Sequence, residues 1–498
     1  MTICPGKQGD SAYGPPWARD LAVDLRAIRA WGAGALVSLT EAREEADLGV
    51  AGLGAACDRA GLDRYHLPIR DVSVPDDRFE SLWVWAGRDL RRRLRAGEDI
   101  VLHCRGGLGR SGLIAGRLLV EMGADPDAAI AAIRAARPGA VETRAQEAHV
   151  HATQRDAVDD NDHAGRVLGC LLGGAVGDAF GYGVEFDSLA AIRARQGPDG
   201  LTAPLVSDGR LLVSDDTQMT LFTAAGLLAC PPSSGWNDQA TLEAIRRATL
   251  DWHRSQTQRF SAGASGLLAH PTLWARRAPG NTCLSACAVG AHGTPERPIN
   301  NSKGCGGVMR TAPIGLVRGL RPGFAFDLGA RAAAMTHGHP SGYLSAAVMA
   351  FVVRWLTDCP APTIADLDAA VDGARKQLEK WEGAGETRAA IDAAMDRIAR
   401  PADDPTADVG SLGQGWVGEE ALAIGLYATA RGRDFTQVFQ IASNHDGDSD
   451  STASIAGQIH GAMHGASCLP TNWIGQLDVL VPVTEIARAF IAEDGRRG

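Results

Sequence analysis

Residues 99–112 read Asp-Ile-Val-Leu-His-Cys-Arg-Gly-Gly-Leu-Gly-Arg-Ser-Gly, an apolar run feeding a glycine-rich turn. A helical pattern takes over near Gly112. A buried strand, a tight turn and a helix start must follow one another here, which fits a strand of a parallel sheet better than any other setting. Such a turn aims backbone N–H groups and the positive end of a helix at one anion. Cys104 falls at the bottom of that cup, where the helix start and Arg110 favour a thiolate. Arg110 can grip two oxygens of a phosphate with its planar fork. Ser111 is placed to help the thiolate leave again. The segment Arg105, Gly106, Gly107, Leu108 and Gly109 forms the phosphate cradle, with the Arg105 and Leu108 side chains on the pocket rim.

The flanking sequence alternates in the same way. Apolar runs at 35–39 and 65–69 read as strands, and 48–60 and 79–96 as helices. The order is βαβ-like and predicts a mostly parallel sheet flanked by helices. Helices follow the turn to about 122, over 126–137 and over 141–153, with Pro126 at a start and Arg137-Pro138-Gly139 at a stop. Residues 154–163 are polar and acidic and read as a linker. Beyond them strand signals fade. Ala-, Leu- and Gly-rich helical patterns run over 165–178, 217–228, 240–254, 326–335, 341–356, 364–381, 419–430 and 451–463. The division is therefore an α/β domain over 1–153, a linker over 154–163 and an all-α domain over 164–492.

Composition narrows the function classes. A chain of 498 residues with 45% hydrophobic content has room for several packed cores. The net charge of −10 argues against a nucleic-acid partner. Ten cysteines without a C-x-x-C pair, and opening residues without a cleavable-signal pattern, lead to the expectation of a reduced cytoplasmic setting. The apolar stretch 344–356 is broken by Arg354 and too short to span a bilayer, so no membrane association is expected.

The pattern His103-Cys104-x-x-Gly107-x-x-Arg110-Ser111 resembles the signature loop of cysteine-dependent protein tyrosine and dual-specificity phosphatases. A phosphocysteine mechanism also needs a carboxylic acid on a nearby loop to protonate the leaving oxygen. The segment 67–77 offers Asp71, Asp76 and Asp77. Asp71 is favoured because it follows a strand end, and because its Pro-Ile-x-Asp context resembles cyclin-dependent kinase-associated phosphatases. Asp76 and Asp77 can equally be a helix cap before Phe79. His103 is expected to orient the loop rather than react. This chemistry requires no cofactor.

Two acidic clusters lie far apart in the helical part. One is Val213-Ser214-Asp215-Asp216-Thr217; the other is Asn444-His445-Asp446-Gly447-Asp448-Ser449-Asp450-Ser451-Thr452. Each opens a helical pattern, and capping accounts for one acid in each but not for the pairs. Grouped carboxylates and hydroxyls suit a hard divalent cation. The stretch Gly169-Cys170-Leu171-Leu172-Gly173-Gly174-Ala175-Val176-Gly177-Asp178-Ala179-Phe180-Gly181, with Glu185, resembles the opening of the ADP-ribosylglycohydrolase family. The likeness continues through Ser214–Thr217, Gly304–Arg310, Thr336–Pro340 and Gly447–Ser451. It implies an all-helical fold that binds two Mg²⁺ ions through Ser214, Asp215 and Asp216 on one side and Asp448, Asp450 and Ser451 on the other. Thr217 is expected to cap its helix instead of ligating. The resemblance also implies Glu185 on a loop near the metals and His337 near the nucleotide. The turn from Ser302 through Gly304, Gly306 and Gly307 would bring N–H groups to the ADP-ribose pyrophosphate. Glu185, Asp215 and Asp216 are candidate general bases, and the scissile linkage is open between Arg, Ser and a small ADP-ribose derivative.

Together these readings describe a bifunctional hydrolase acting on a phosphorylated substrate and on ADP-ribose or an ADP-ribosylated protein. Three versions follow: reversal of two modifications on one protein, processing of phosphorylated ADP-ribose, or a phosphatase delivered by a non-hydrolysing ADP-ribose-binding helical module.

Overall fold

A computed structural model describes residues 1–11, 14–155, 162–230, 238–402 and 404–495. Most of the expected linker, residues 156–161, lies outside the described residues. The chain divides into two compact units, Met1–Asp160 and Asn161–Gly498.

The first unit opens with a two-residue antiparallel ribbon, β1 (Gln8–Gly9) and β2 (Trp17–Ala18). Then come α1 (Leu21–Trp31), β3 (Ala33–Ser38), α2 (Ala42–Asp47), α3 (Leu53–Ala60) and β4 (Asp63–His66). The unit continues with α4 (Asp77–Arg95), β5 (Asp99–His103), α5 (Gly109–Glu121), α6 (Pro126–Ala136) and α7 (Arg144–Ala152). The three longer strands form a parallel sheet in the order β4-β3-β5. Its register sets Ser38 opposite both His66 and His103, so the strands end together and their loops share one edge. Leu25, Leu36, Leu53, Cys57, Leu62 and Val101 make the core beneath it.

Several boundaries move from the sequence reading, each for a local reason. The expected helix over 48–60 begins only at Leu53 as α3, since Gly49 is left-handed (φ 71°) and ends the separate helix α2, which precedes the expected range. The expected strand over 65–69 lies at Asp63–His66. Leu67 and Ile69 instead donate to the carbonyls of Ser38 and Leu39. The last helix begins at Arg144 rather than Val141, because Val141 is left-handed (φ 58°) and Thr143 with Gln146 forms a capping box. The helix α1, capped by Asp20 on the Val23 N–H and closed by the left-handed Gly32 (φ 111°), and the two-residue ribbon lie outside the elements expected from the sequence.

All the longer elements of the second unit are helical among the described residues. The helix Asp162–Gly181 lies along Ser449–His464. Gly169, Gly173, Gly177 and Gly181 recur every fourth residue and face the backbones of Gly461, Gly457, Ala453 and Ser449. A side chain at any of the four would strike a carbonyl of the partner helix, so this row must be bare for the two axes to approach. The helix over 163–184 is long and apolar enough to cross a membrane, yet 89% of its apolar window is buried inside the unit. Its C-terminal turn meets the N-termini of two helices, Asp215–Ala229 through Asp178 and the same Ser449–His464 through Gly181. The acidic clusters open those two helices.

Candidate active sites

In the first unit the turn after β5 wraps a single sulfur. Cys104 is 3% exposed, and its Sγ accepts the N–H of Gly107 at 3.1 Å. Gly107 is left-handed (φ 70°) and sits against the Thr2 carbonyl, where a Cβ has no room. Arg110, in the first turn of α5, is buried and held from several sides. Its two terminal nitrogens donate to the two oxygens of Glu44, each at 2.7 Å, and Nη1 also reaches the Ile69 carbonyl at 3.0 Å. Ser111 is fully buried, and its hydroxyl has no protein partner. His103 shares a 2.8 Å hydrogen bond between Nε2 and Ser38 Oγ. Burial, then the Arg64 charge, pushes its pKa down to about 3, so the ring is neutral and acts as a strut.

The three acid candidates separate. Asp76 caps α4 by accepting the Phe79 N–H at 2.8 Å, and Asp77 lies in that helix's first turn. Asp71 stands 2.9 Å from Arg110 Nη2 with its side chain 57% exposed. It alone of the three is brought to the cup.

Sequence reasoning missed four groups here. Glu44 locks Arg110 from α2, a helix that the sequence reading did not assign. Gln146 is fully buried at the start of α7; it accepts the Glu142 N–H at 3.0 Å and reaches the Ser73 carbonyl at 3.4 Å, beside Gly109. The Glu142 carboxylate also lies against Gly109. Lys7 touches the loop at the Arg105 carbonyl. The capping-box spacing Thr143-x-x-Gln146 was the available signal for Gln146.

The second unit gathers carboxylates from four segments. Oxygens of Glu185, Asp448 and Asp450 lie within 4.8 Å of one another. Asp215 and Asp216 are close enough to perturb them electrostatically. Asp178, within the glycine-rich motif and not expected at the site, is fully buried. It accepts the N–H groups of Ser214 at 2.8 Å and Thr217 at 3.0 Å, fastening two helices. Ser214 Oγ caps its helix by accepting the Asp216 N–H, whereas Thr217 bonds to Asp178. Asp215 accepts from the Gly280 N–H, and Asp448 and Asp450 each accept from the Ser451 N–H. Cys305 donates to Asp448 at 2.9 Å and lies 3.5 Å from Ser451 Oγ; it too was missed.

Burial dominates the electrostatics. It pushes Glu185 and Asp215 up to about 8 and Asp178 to about 6, with neighbouring carboxylates adding to the first two. Asp216 and Asp450 are raised for the same two reasons. Glu185 Oε2 and Asp216 Oδ2 are buried without any partner. A set of buried, mutually repelling oxygens with orphaned lone pairs is what a hard divalent cation satisfies.

The expected nucleotide residues adjoin this cluster. Gly304 donates to Ser302 Oγ, and Cys305 donates to the Trp416 carbonyl. A Cβ at Gly306 would press on Cys283 and His337, and one at Gly307 on the Gly342 carbonyl. His337 is 1% exposed and bonded through Nδ1 to Thr336 Oγ1; burial, then Arg310, brings its pKa to about 3.

Comparison with known proteins agrees with this two-part arrangement. The family model described as ADP-ribosylglycohydrolase matches residues 159–498, and that described as a polymorphic toxin system DSP-PTPase phosphatase matches 13–124. An uncharacterized protein of Archaeoglobus fulgidus is 25% identical over 61% of this chain and 89% of its own. The ADP-ribosyl-[dinitrogen reductase] glycohydrolase of Rhodospirillum rubrum is 23% identical over 64% of this chain and 91% of its own. Among solved structures, an ADP-ribosylglycohydrolase-related protein complex aligns at 23% identity over 67% of this chain and 99% of its own, with a TM-score of 0.44. A kinase-associated phosphatase with its catalytic-site cysteine changed to serine aligns at 25% identity over 30% of this chain and 81% of its own, with a TM-score of 0.27. Over its larger part the chain belongs to the ADP-ribosylglycohydrolase family, and a phosphatase domain of the DSP-PTPase type precedes that part.

Proposed function

We propose that the first domain of this two-domain hydrolase cleaves phosphate monoesters through Cys104, and that the second releases ADP-ribose from a glycosidic linkage with the help of Mg²⁺. For the phosphatase, the carrying observation is the Cys104 sulfur held at a loop N–H beside a locked Arg110. The Cys104 thiolate attacks phosphorus while the bond to the leaving oxygen breaks, and Asp71 gives that oxygen its proton. Water then attacks the phosphocysteine, Asp71 takes the water's proton, and the sulfur–phosphorus bond breaks to free phosphate. Arg110 and the loop N–H groups hold the phosphoryl oxygens throughout.

For the glycohydrolase, the carrying observation is the convergence of Glu185, Asp448 and Asp450 with two orphaned carboxylate oxygens at the cluster. Asp215, Asp216, Asp448 and Asp450, with the Ser214 and Ser451 hydroxyls, would hold two Mg²⁺ ions. When bound, these ions supply positive charge for orienting ribose hydroxyls and water. Glu185, with its free Oε2, accepts the proton of the attacking water as the glycosidic bond to the acceptor breaks, and that proton passes to the departing nitrogen or oxygen. Asp178 positions the Ser214–Asp216 turn through two backbone hydrogen bonds. Ser302, Gly304, Gly306, Gly307 and His337 line the ADP-ribose side. The orphaned carboxylates favour this reading over a non-hydrolysing ADP-ribose-binding module. The nine cysteines whose side chains are described are all free, which supports a cytoplasmic setting.

The test uses the full chain with para-nitrophenyl phosphate and with ADP-ribosyl-arginine, each with Mg²⁺ and with chelator. Cys104→Ser should abolish the first activity and spare the second; chelator and Asp450→Ala should abolish only the second. Phosphate release that survives Cys104→Ser, or ADP-ribose release indifferent to chelator, would overturn the respective half. A phosphorylated ADP-ribose offered to both domains tests whether they share a substrate.

A further inference from the structure

The signature loop carries more positive charge than one phosphate requires. Lys7 is only 9% exposed; its ammonium lies 4.7 Å from the centre of the Trp17 ring and 3.4 Å from the Arg105 carbonyl. Arg137, just after α6, donates to the Gly106 carbonyl at 3.5 Å, and its Nε is buried without a partner. Arg105 itself is exposed at the rim. Among the described residues, none of these three cations is paired with a carboxylate. By contrast, Arg64 is paired with Glu45, Arg91 with Glu121, Arg93 with Asp89, Arg110 with Glu44 and Arg117 with Glu80. A buried ammonium without a counter-charge is costly. Burial, then Arg105, holds the Lys7 pKa below its ordinary value. Lys7 is thus a buried cation on the rim of an anion cup, with an aromatic wall behind it and no anion of its own.

We infer that Lys7 and Arg137, with Arg105, form a second anion subsite beside the Cys104 cup, so that the phosphatase selects small substrates carrying another phosphoryl group next to the scissile monoester. The inference rests on the phosphatase reading of Cys104. Arg110 and the loop N–H groups already satisfy the scissile phosphate, which leaves the three rim cations for a neighbouring group. A phosphotyrosine presents one dianion on a flat ring. Phosphorylated ADP-ribose presents a sugar monoester and a pyrophosphate, and a phosphorylated inositol presents several monoesters. The first chemistry also occurs on the substrate proposed for the second domain.

The experiment measures kcat and KM of the full-length protein on four probes. They are para-nitrophenyl phosphate, phosphorylated ADP-ribose, a soluble inositol bisphosphate, and phosphatidylcholine vesicles carrying a bisphosphorylated inositol lipid. The wild type should favour a two-phosphate probe, and the probe turned over fastest identifies the source. Lys7→Met keeps the stem over Trp17 and removes the charge. It should lower the preference for the two-phosphate probe over para-nitrophenyl phosphate by about tenfold or more, through KM, the size of one hydrogen bond to a charged group. Lys7→Arg should restore most of it. Raising ionic strength should erode the same preference. If Lys7→Met proves insoluble, Arg137→Ala from the exposed side of the loop carries the same expectation. A wild type without preference, or equal losses on both kinds of probe, would overturn the subsite. Turnover that survives Cys104→Ser would instead overturn the phosphatase reading beneath it.

Discussion

Arg110 and Glu44 are joined by two parallel hydrogen bonds of 2.7 Å, with the arginine 2% and the glutamate 8% exposed. The pair fixes the plane of the guanidinium below the cup before any substrate arrives. It also means that the loop's charge is balanced from α2, not from within the signature.

Removing that partner should therefore be felt twice. Glu44→Ala leaves Arg110 buried with only Asp71 and two carbonyls as acceptors, and should destabilise the first domain by about 3–5 kcal/mol. Glu44→Gln keeps the shape and should retain the fold while kcat/KM on para-nitrophenyl phosphate falls about tenfold or more. Chemical denaturation and steady-state kinetics check the two effects. Wild-type kinetics in both variants would show that Arg110 is positioned by the carbonyls of Ile69 and Leu39 alone.

Asp71→Asn should cost about a hundredfold in phosphatase rate with an alkyl monoester, within the general-acid range, and less with an aryl ester of low leaving-group pKa. Asp76→Ala should show no such dependence on leaving group. It removes the cap on the Phe79 N–H and should instead lower stability by about 1 kcal/mol. A leaving-group effect at Asp76 would reverse the assignment.

These contrasts show which parts of the molecule could be read from the chain. The Cys104–Arg110 loop was legible because everything it needs lies within one turn. Glu44 was not, since a single glutamate 66 residues upstream carries no local pattern linking it to an arginine. The acidic helix starts were legible as surplus carboxylate. The role of Asp178 was hidden because it acts across space on the N–H groups of Ser214 and Thr217. The glycines from Gly169 to Gly181 were recognised as a motif, but their reason appears only where the helix meets Ser449–His464.

That contact is testable by one side chain. Gly173→Val places a branched group against the Gly457 carbonyl and the Phe435 ring, where neither helix can retreat without dragging Asp178 or Asp450. Overpacking of this kind should cost about 1–3 kcal/mol. Thermal unfolding should show the loss in the transition of the helical domain. Turnover of para-nitrophenyl phosphate should be unaltered, since every residue of the Cys104 cup lies in the other unit. An unshifted transition would mean that the two helices are free to move apart.

The carboxylate cluster predicts how acidity and cation binding are linked. Asp178 is raised to about 6, and Glu185 and Asp215 to about 8, chiefly by burial. Unfolded carboxyls titrate near about 4. A folded pKa above the unfolded one means that the folded chain holds the proton more tightly. The corresponding stability is complete below about pH 4 and is lost as pH rises through about 6 and then about 8. Chelator-treated protein should therefore unfold at progressively lower temperature between about pH 5 and about pH 9. A divalent cation replaces those protons, so Mg²⁺ should raise the unfolding temperature more at the alkaline end than at the acid end. Calorimetry should record proton release on Mg²⁺ binding at neutral pH, and Asp215→Ala should diminish both the release and the affinity. Thermal scans across that range, with and without Mg²⁺, decide the matter. If the chelated protein instead gains stability as pH rises and Mg²⁺ shifts nothing, the cluster is a solvated set of helix caps and the metal assignment falls.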